Sequence, residues 1–164
     1  MPLPMLDRSL RLPLALALLM VGGFVLNRWH ANRTDLGWRD YNDECGICHH
    51  GGRGQASETP PLFGRIDQIA QTPEGKRYVM HVLLNGLSGP INVHDQEFSW
   101  SMPNFRNLSD KKIARILTWV AQQGQTASPP HFTAEDIAAE RSRHLSSEAV
   151  REERERLDRR QPLP

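Results

Sequence analysis

Residues 43–52 read DECGICHHGG, a stretch that holds both cysteines of the chain and two of its seven histidines. Two cysteines separated by two residues close almost no loop, so a disulfide between them would constrain the unfolded chain very little. Their purpose is therefore chemical. A thioredoxin-like dithiol expects a βαβ setting, and no such pattern surrounds this pair. A zinc site needs two further ligands at a workable spacing, for which His50 is a candidate. The third chemistry is covalent haem: Cys45-Gly46-Ile47-Cys48-His49 is C-x-x-C-H, the attachment pattern of c-type haem. On one turn of backbone the two thiols reach the two vinyl groups of a porphyrin, and the next side chain offers an imidazole to the iron. The motif favours haem over zinc or dithiol chemistry.

Toward the N-terminus, Arg8 and Arg11 precede an apolar run, LPLALALLMVGGFVL at 12–26, with Asn27 and Arg28 beyond it. Basic residues ahead of an apolar stretch mark an export signal. The run is shorter than the roughly 20 residues of a usual spanning helix, which suits a signal core. No A-x-A-like cleavage site follows Leu26, however, and Trp29 stands where an interfacial aromatic would. Residues 1–30 are therefore expected to be a signal anchor, with a cleaved signal peptide as the alternative. The rest of the chain is expected on the periplasmic side of the bacterial inner membrane, tethered through residues 12–26, or soluble in the periplasm after cleavage.

A chain of 164 residues fits one domain of roughly 100–150 residues plus extensions. The domain should be mainly α, over residues 31–127. A helix is expected at 34–48, capped by Thr34 or Asp35, with Leu36, Tyr41 and Ile47 as its apolar positions. GGRGQASETPP breaks regular structure, because Gly and Pro dominate it. A second helix is expected at 73–85, with Pro73 in its first turn, Val79, Val82 and Leu83 on one face and Gly86 at its end. INVHDQEFSW alternates around His94-Asp95 and predicts a short hairpin. The clearest helix opens at Ser109: Ile113, Ile116, Leu117 and Val120 form one stripe, and Gly124 stops it. Residues 128–164 form a charged, helical C-terminal extension, with a capping-box pattern at Thr133 and Asp136. Its few apolar residues predict an exposed, fraying helix, with a docking helix for a larger partner as the alternative.

Residues from about 34 to 124 resemble a class I cytochrome c, and four stretches beyond C-x-x-C-H carry the likeness. Gly37-Trp38-Arg39-Asp40-Tyr41 resembles the first-helix pattern of a glycine and an aromatic four residues later. Pro60-Pro61-Leu62-Phe63-Gly64 resembles P-x-L-x-G, which implies that the Pro60 carbonyl accepts the Nδ1 proton of His49. Ser101-Met102-Pro103-Asn104-Phe105 resembles the M-P-x-F segment that brings a distal methionine. Residues 108–120 resemble the final helix, with Trp119 where an aromatic packs on the first helix near Gly37. LLNGLSGPINVHDQEFSWSMPNF is also similar to cytochrome domains associated with bacterial dehydrogenases, although their hairpin turn often carries Asn-Gly rather than His94-Asp95.

The resemblance implies a cytochrome c fold around one haem c, attached through Cys45 and Cys48, ligated by His49 and Met102 and supported by Pro60. A thioether ligand favours reduced iron and raises the potential. With both axial positions filled, the expected activity is one-electron transfer to redox protein partners in a respiratory or dehydrogenase-linked chain. The alternatives are a haem enzyme or gas sensor with a labile Met102, and a fixed electron-transfer subunit of a larger dehydrogenase complex. His50 should point away from the iron, His81 toward solvent, and His94, in the turn, is the rival distal ligand. His131 and His144 have no visible ligand set. A net charge of +1 gives no indication of a nucleic-acid partner.

Overall fold

In a computed structural model of the chain, the structure describes residues 8–56 and 58–164. Residues 1–7 of the expected signal segment lie outside the described residues, as do the side chains of Arg8, Arg11 and Trp29. The chain divides into Met1–Leu36 and Gly37–Pro164.

The first unit contains α1 (Arg8–Thr34), whose large apolar side chains between Leu12 and Leu26 are exposed. Among the described residues, no helix is long and apolar enough to cross a membrane. The apolar run of α1 rises only about 22 Å at 1.5 Å per residue, against roughly 30 Å of hydrocarbon. The expected anchor at residues 12–26 is therefore not supported.

The second unit begins one residue into α2 (Leu36–Glu44), which is followed by α3 (Gly46–His49). The single helix expected over 34–48 is divided: Thr34 ends α1, and the hydrogen-bond ladder restarts at Cys45, whose carbonyl accepts from the amides of Cys48 and His49. Gly46, a poor helix former, sits at that break. After α3 the backbone turns left-handed at His50 (φ 42°) and through Gly51 and Gly52. Gly52 is required there, because a Cβ would lie 2.2 Å from the Phe63 ring that packs over it. A short α4 (Ile66–Ile69) follows, too brief to leave a periodic signature.

Thr72 caps α5 (Pro73–Asn85) by accepting from the Gly75 amide, and Gly86 ends it. Strands β1 (Ile91–Val93) and β2 (Gln96–Phe98) pair antiparallel, with Val93 opposite Gln96, so His94 and Asp95 form a two-residue turn. Both have positive φ, 49° and 62°, the conformation for which Asn-Gly is best suited. Replacing His94-Asp95 by Asn-Gly should stabilise the fold by about 1 kcal/mol, since left-handed backbone costs an L-residue roughly that much. Urea titration checks it: the midpoint should rise with an unchanged slope.

The α6 helix (Asp110–Gln122) is capped by Ser109, and its stripe of Ile113, Ile116, Leu117 and Val120 is buried. Two ion pairs, Arg115 Nε to Asp40 Oδ2 at 2.6 Å and Lys112 Nζ to Glu44 Oε1 at 2.5 Å, hold α6 to α2. Between them Tyr41 packs on Trp119 with ring centroids 4.8 Å apart, and Phe63 meets Trp119 edge-on at 5.6 Å. Trp119 thus lies against Tyr41 of α2.

The C-terminal segment corrects the sequence reading. The exposed, fraying helix is instead two docked helices, α7 (Ala134–Arg141), opened by the expected capping box, and α8 (Ser147–Arg160). Phe132, Ile137 and Val150 are buried in the same core as Leu84 and Ile113. Polar contacts reinforce the docking: Lys76 pairs with Asp136 at 2.7 Å, and Arg141 pairs with Asp110 at 2.6 Å. Arg106 and Arg141 each donate to the other's main-chain oxygen at 2.8 Å.

His81 is the second correction. Instead of facing solvent it is 2% exposed, with Nδ1 2.7 Å from Glu153 and Nε2 2.9 Å from Glu140. It therefore ties α5 to both C-terminal helices. Burial alone lowers its pKa, but the hydrogen bonds and charges of Glu153 and Glu140 outweigh that and raise it. A histidine whose folded pKa lies above its unfolded value of about 6.5 stabilises fully below that value and progressively less as pH rises through the folded pKa. Stability measured in urea at a series of pH values should fall over that window in the native chain. His81→Gln should flatten the fall; an unchanged profile would mean that His81 carries no such linkage.

Candidate functional site

The residues singled out by sequence converge on one apolar cleft between α2, α3, α5 and α6. Cys45, Cys48, His49, Pro60 and Met102 all line it. The two thiols are unpaired, Cys45 buried and Cys48 exposed. Burial, then the charges of Glu44 and Cys48, push the Cys45 thiol up to about 12. Among the described residues, no three His, Cys, Asp or Glu side chains group where they could hold a metal ion. The zinc alternative has no support.

His49 is 7% exposed, and its Nδ1 lies 3.3 Å from the Pro60 carbonyl oxygen. A carbonyl only accepts, so Nδ1 must carry the proton. Burial lowers the His49 pKa despite that hydrogen bond, which favours the neutral ring. Its Nε2 then keeps a lone pair, the state in which imidazole ligates a metal. The Pro60 segment is itself pinned: Thr59 Oγ1 donates to the Cys48 carbonyl at 2.8 Å, and the Leu62 amide to Gly52 at 2.9 Å.

Met102 is held by its backbone. Its amide donates to the Leu87 carbonyl at 2.8 Å, and its own carbonyl accepts from Leu87 at 3.0 Å. Next to this bridge Gly86 has φ 80°, and a Cβ there would lie 2.7 Å from the Met102 carbonyl oxygen. The glycine that ends α5 thus also admits the Met102 strand. The Phe105 amide closes the segment onto Leu83 at 2.7 Å. His50, His94, His131 and His144 are exposed and do not line the cleft, and His81 is committed to its two glutamates.

An apolar cleft offering two thiols, a neutral imidazole with a free nitrogen and a thioether suits a haem: the walls match a porphyrin, and the donors are ones that haem iron takes. The family described as cytochrome C oxidase, cbb3-type, subunit III matches residues 32–120. The chain belongs to this family. It is similar to cytochrome c-552 of Thermus thermophilus, with 33% identity over 119 residues that cover 70% of this chain and 91% of the relative. A second cytochrome c-552, from a particular strain of T. thermophilus, is likewise 33% identical over 119 residues, which cover 70% of this chain and 80% of that protein. The chain is thus a monohaem class I c-type cytochrome, an electron carrier with covalently bound haem c. A cytochrome c domain of this kind suggests an extracytoplasmic location.

Sequence reasoning missed three residues of this cytochrome's cleft. Arg65, Tyr78 and Arg154 line it and are each 4% exposed. Tyr78 lies on α5 among residues read only for their apolar stripe. Arg154 sits in a run of alternating charges, and nothing in the pattern singles it out.

Proposed function

We propose that His49 and Met102 would hold the haem iron, and that the protein relays single electrons between redox proteins on the extracytoplasmic side. The haem supplies the one-electron couple. The chain's own residues fix its coordination: Pro60 holds the His49 ring in one tautomer and orientation, and the two-bond bridge to Leu87 holds the Met102 backbone. The observation that carries the reading is that these two donors, each secured by main-chain hydrogen bonds, share one apolar cleft with the C-x-x-C thiols. Apolar walls exclude water, and a thioether ligand favours the reduced state.

The family's description speaks of an oxidase subunit, which supports a respiratory complex rather than a dehydrogenase as the partner. Residues 12–26 fit the apolar core of an export signal better than a span, given their length. Carbon monoxide tests the closed coordination. The reduced protein should bind it negligibly at neutral pH, and ready binding would mean that the sixth position is open.

A further inference from the structure

Two buried arginines reach the haem cleft without an acidic side chain to meet them. Arg65 lies just before α4, and Arg154 comes from α8, beyond the residues that match the family. Arg154 donates from Nη2 to the Asn92 carbonyl at 2.9 Å and also bonds the Tyr78 hydroxyl. Arg65 donates from Nε to the terminal carboxyl group of Pro164 and from a terminal nitrogen to the main-chain oxygen of Pro61, both at 2.7 Å. Among the described residues, neither forms an ion pair with an acidic side chain. Arg65 thus has a counter-charge and Arg154 has none among the described residues, and burying an unpaired cation is costly. Burial and then the charge of Arg154 pull the Arg65 pKa down to about 10, so each feels the other. A guanidinium has five N–H donors, and the bonds above leave donors of Arg154 unused. An anion in the cleft would satisfy Arg154, and a haem brings two carboxylates.

We propose that Arg154 is a haem-binding residue: it takes a haem carboxylate beside Arg65, and α8 thereby closes the cofactor site. The proposal rests on haem c occupying this cleft and is independent of Met102 ligation. It also gives the docked C-terminal helices a purpose. The His81 clamp to Glu140 and Glu153 holds α8 in the register that brings the next residue, Arg154, to the cleft.

The test uses the full-length holoprotein. In the native chain, carboxyl carbon resonances of isotopically labelled haem should show the Arg154-facing carboxylate ionised throughout the neutral range. The charged or titratable groups near it are Arg65, the terminal carboxyl group of Pro164 that Arg65 binds, Tyr78 from α5, and Glu153, which is engaged by His81. In Arg154→Gln that carboxyl should titrate at higher pH. The reduction potential should fall at alkaline pH, where a nearby positive charge is lost, and acquire a pH slope through the neutral range. Arg154→Lys should restore most of the native profile, and Arg156→Gln, an exposed neighbour, should leave it unchanged. Native carboxyls that titrate freely near neutrality, or an Arg154→Gln profile indistinguishable from native, would overturn the proposal. The sulfur-to-iron charge-transfer band of oxidised Arg154→Gln should persist. Its absence from the native protein would instead count against Met102 ligation and leave the Arg154 result standing.

Discussion

Ile137→Ala should destabilise the holoprotein by about 3 kcal/mol, within the range for truncating a fully buried isoleucine. Ile137 is 0% exposed and belongs to the same core cluster as Phe132, Val150, Leu84 and Ile113. The loss combines the transfer energy of the removed carbons with the cavity they leave, because α7 is fixed by its capping box and by the Arg141 contacts and cannot simply collapse. An exposed extension would respond by no more than about 0.5 kcal/mol. Chemical denaturation followed by haem absorbance separates the two, with Glu152→Ala on the exposed face of α8 as the insensitive control. A change at Ile137 as small as the control's would mean that the C-terminal helices are not part of the haem domain's cooperative unit.

Met102→Ala should lower the reduction potential by an amount on the order of tenths of a volt, the axial ligand being a lever that moves haem potentials over about 0.8 V. Under the proposed ligation, losing the thioether withdraws a ligand that favours reduced iron. The same variant should bind carbon monoxide when reduced. Its fold should be nearly intact, since the Leu87 bridge and the Phe105 contact are made by backbone and remain. Potentiometry checks the first effect, and a potential within experimental scatter of native would exclude Met102 as a ligand.

The haem domain was legible where local rules decide. Thr72, Ser109 and Thr133 announce their helices through the caps they form, and the α6 stripe fixes which face is buried. The positions of Cys45, Cys48, His49, Pro60 and Met102 followed from motif and resemblance, and they meet in one cleft. What stayed hidden depends on partners distant in sequence. His81 is polar and off the apolar stripe, so its helix alone predicts solvent; it is buried because Glu140 and Glu153 arrive 59 and 72 residues later. The C-terminal helices looked too polar to dock because few apolar side chains punctuate them. Ile137 and Val150 nevertheless reach the core, while the Lys76–Asp136 and Arg141–Asp110 pairs satisfy the rim. The anchor reading is not supported, for a reason the sequence does display: an apolar run of fifteen residues falls short of a span.

The central claim is that His49 and Met102 together close the iron's coordination. The near-infrared spectrum of the oxidised holoprotein at neutral pH measures it most directly. The predicted result is a sulfur-to-iron charge-transfer band that vanishes in Met102→Ala and survives in His94→Ala. A native spectrum without the band, or a band that persists when Met102 is replaced, would contradict it.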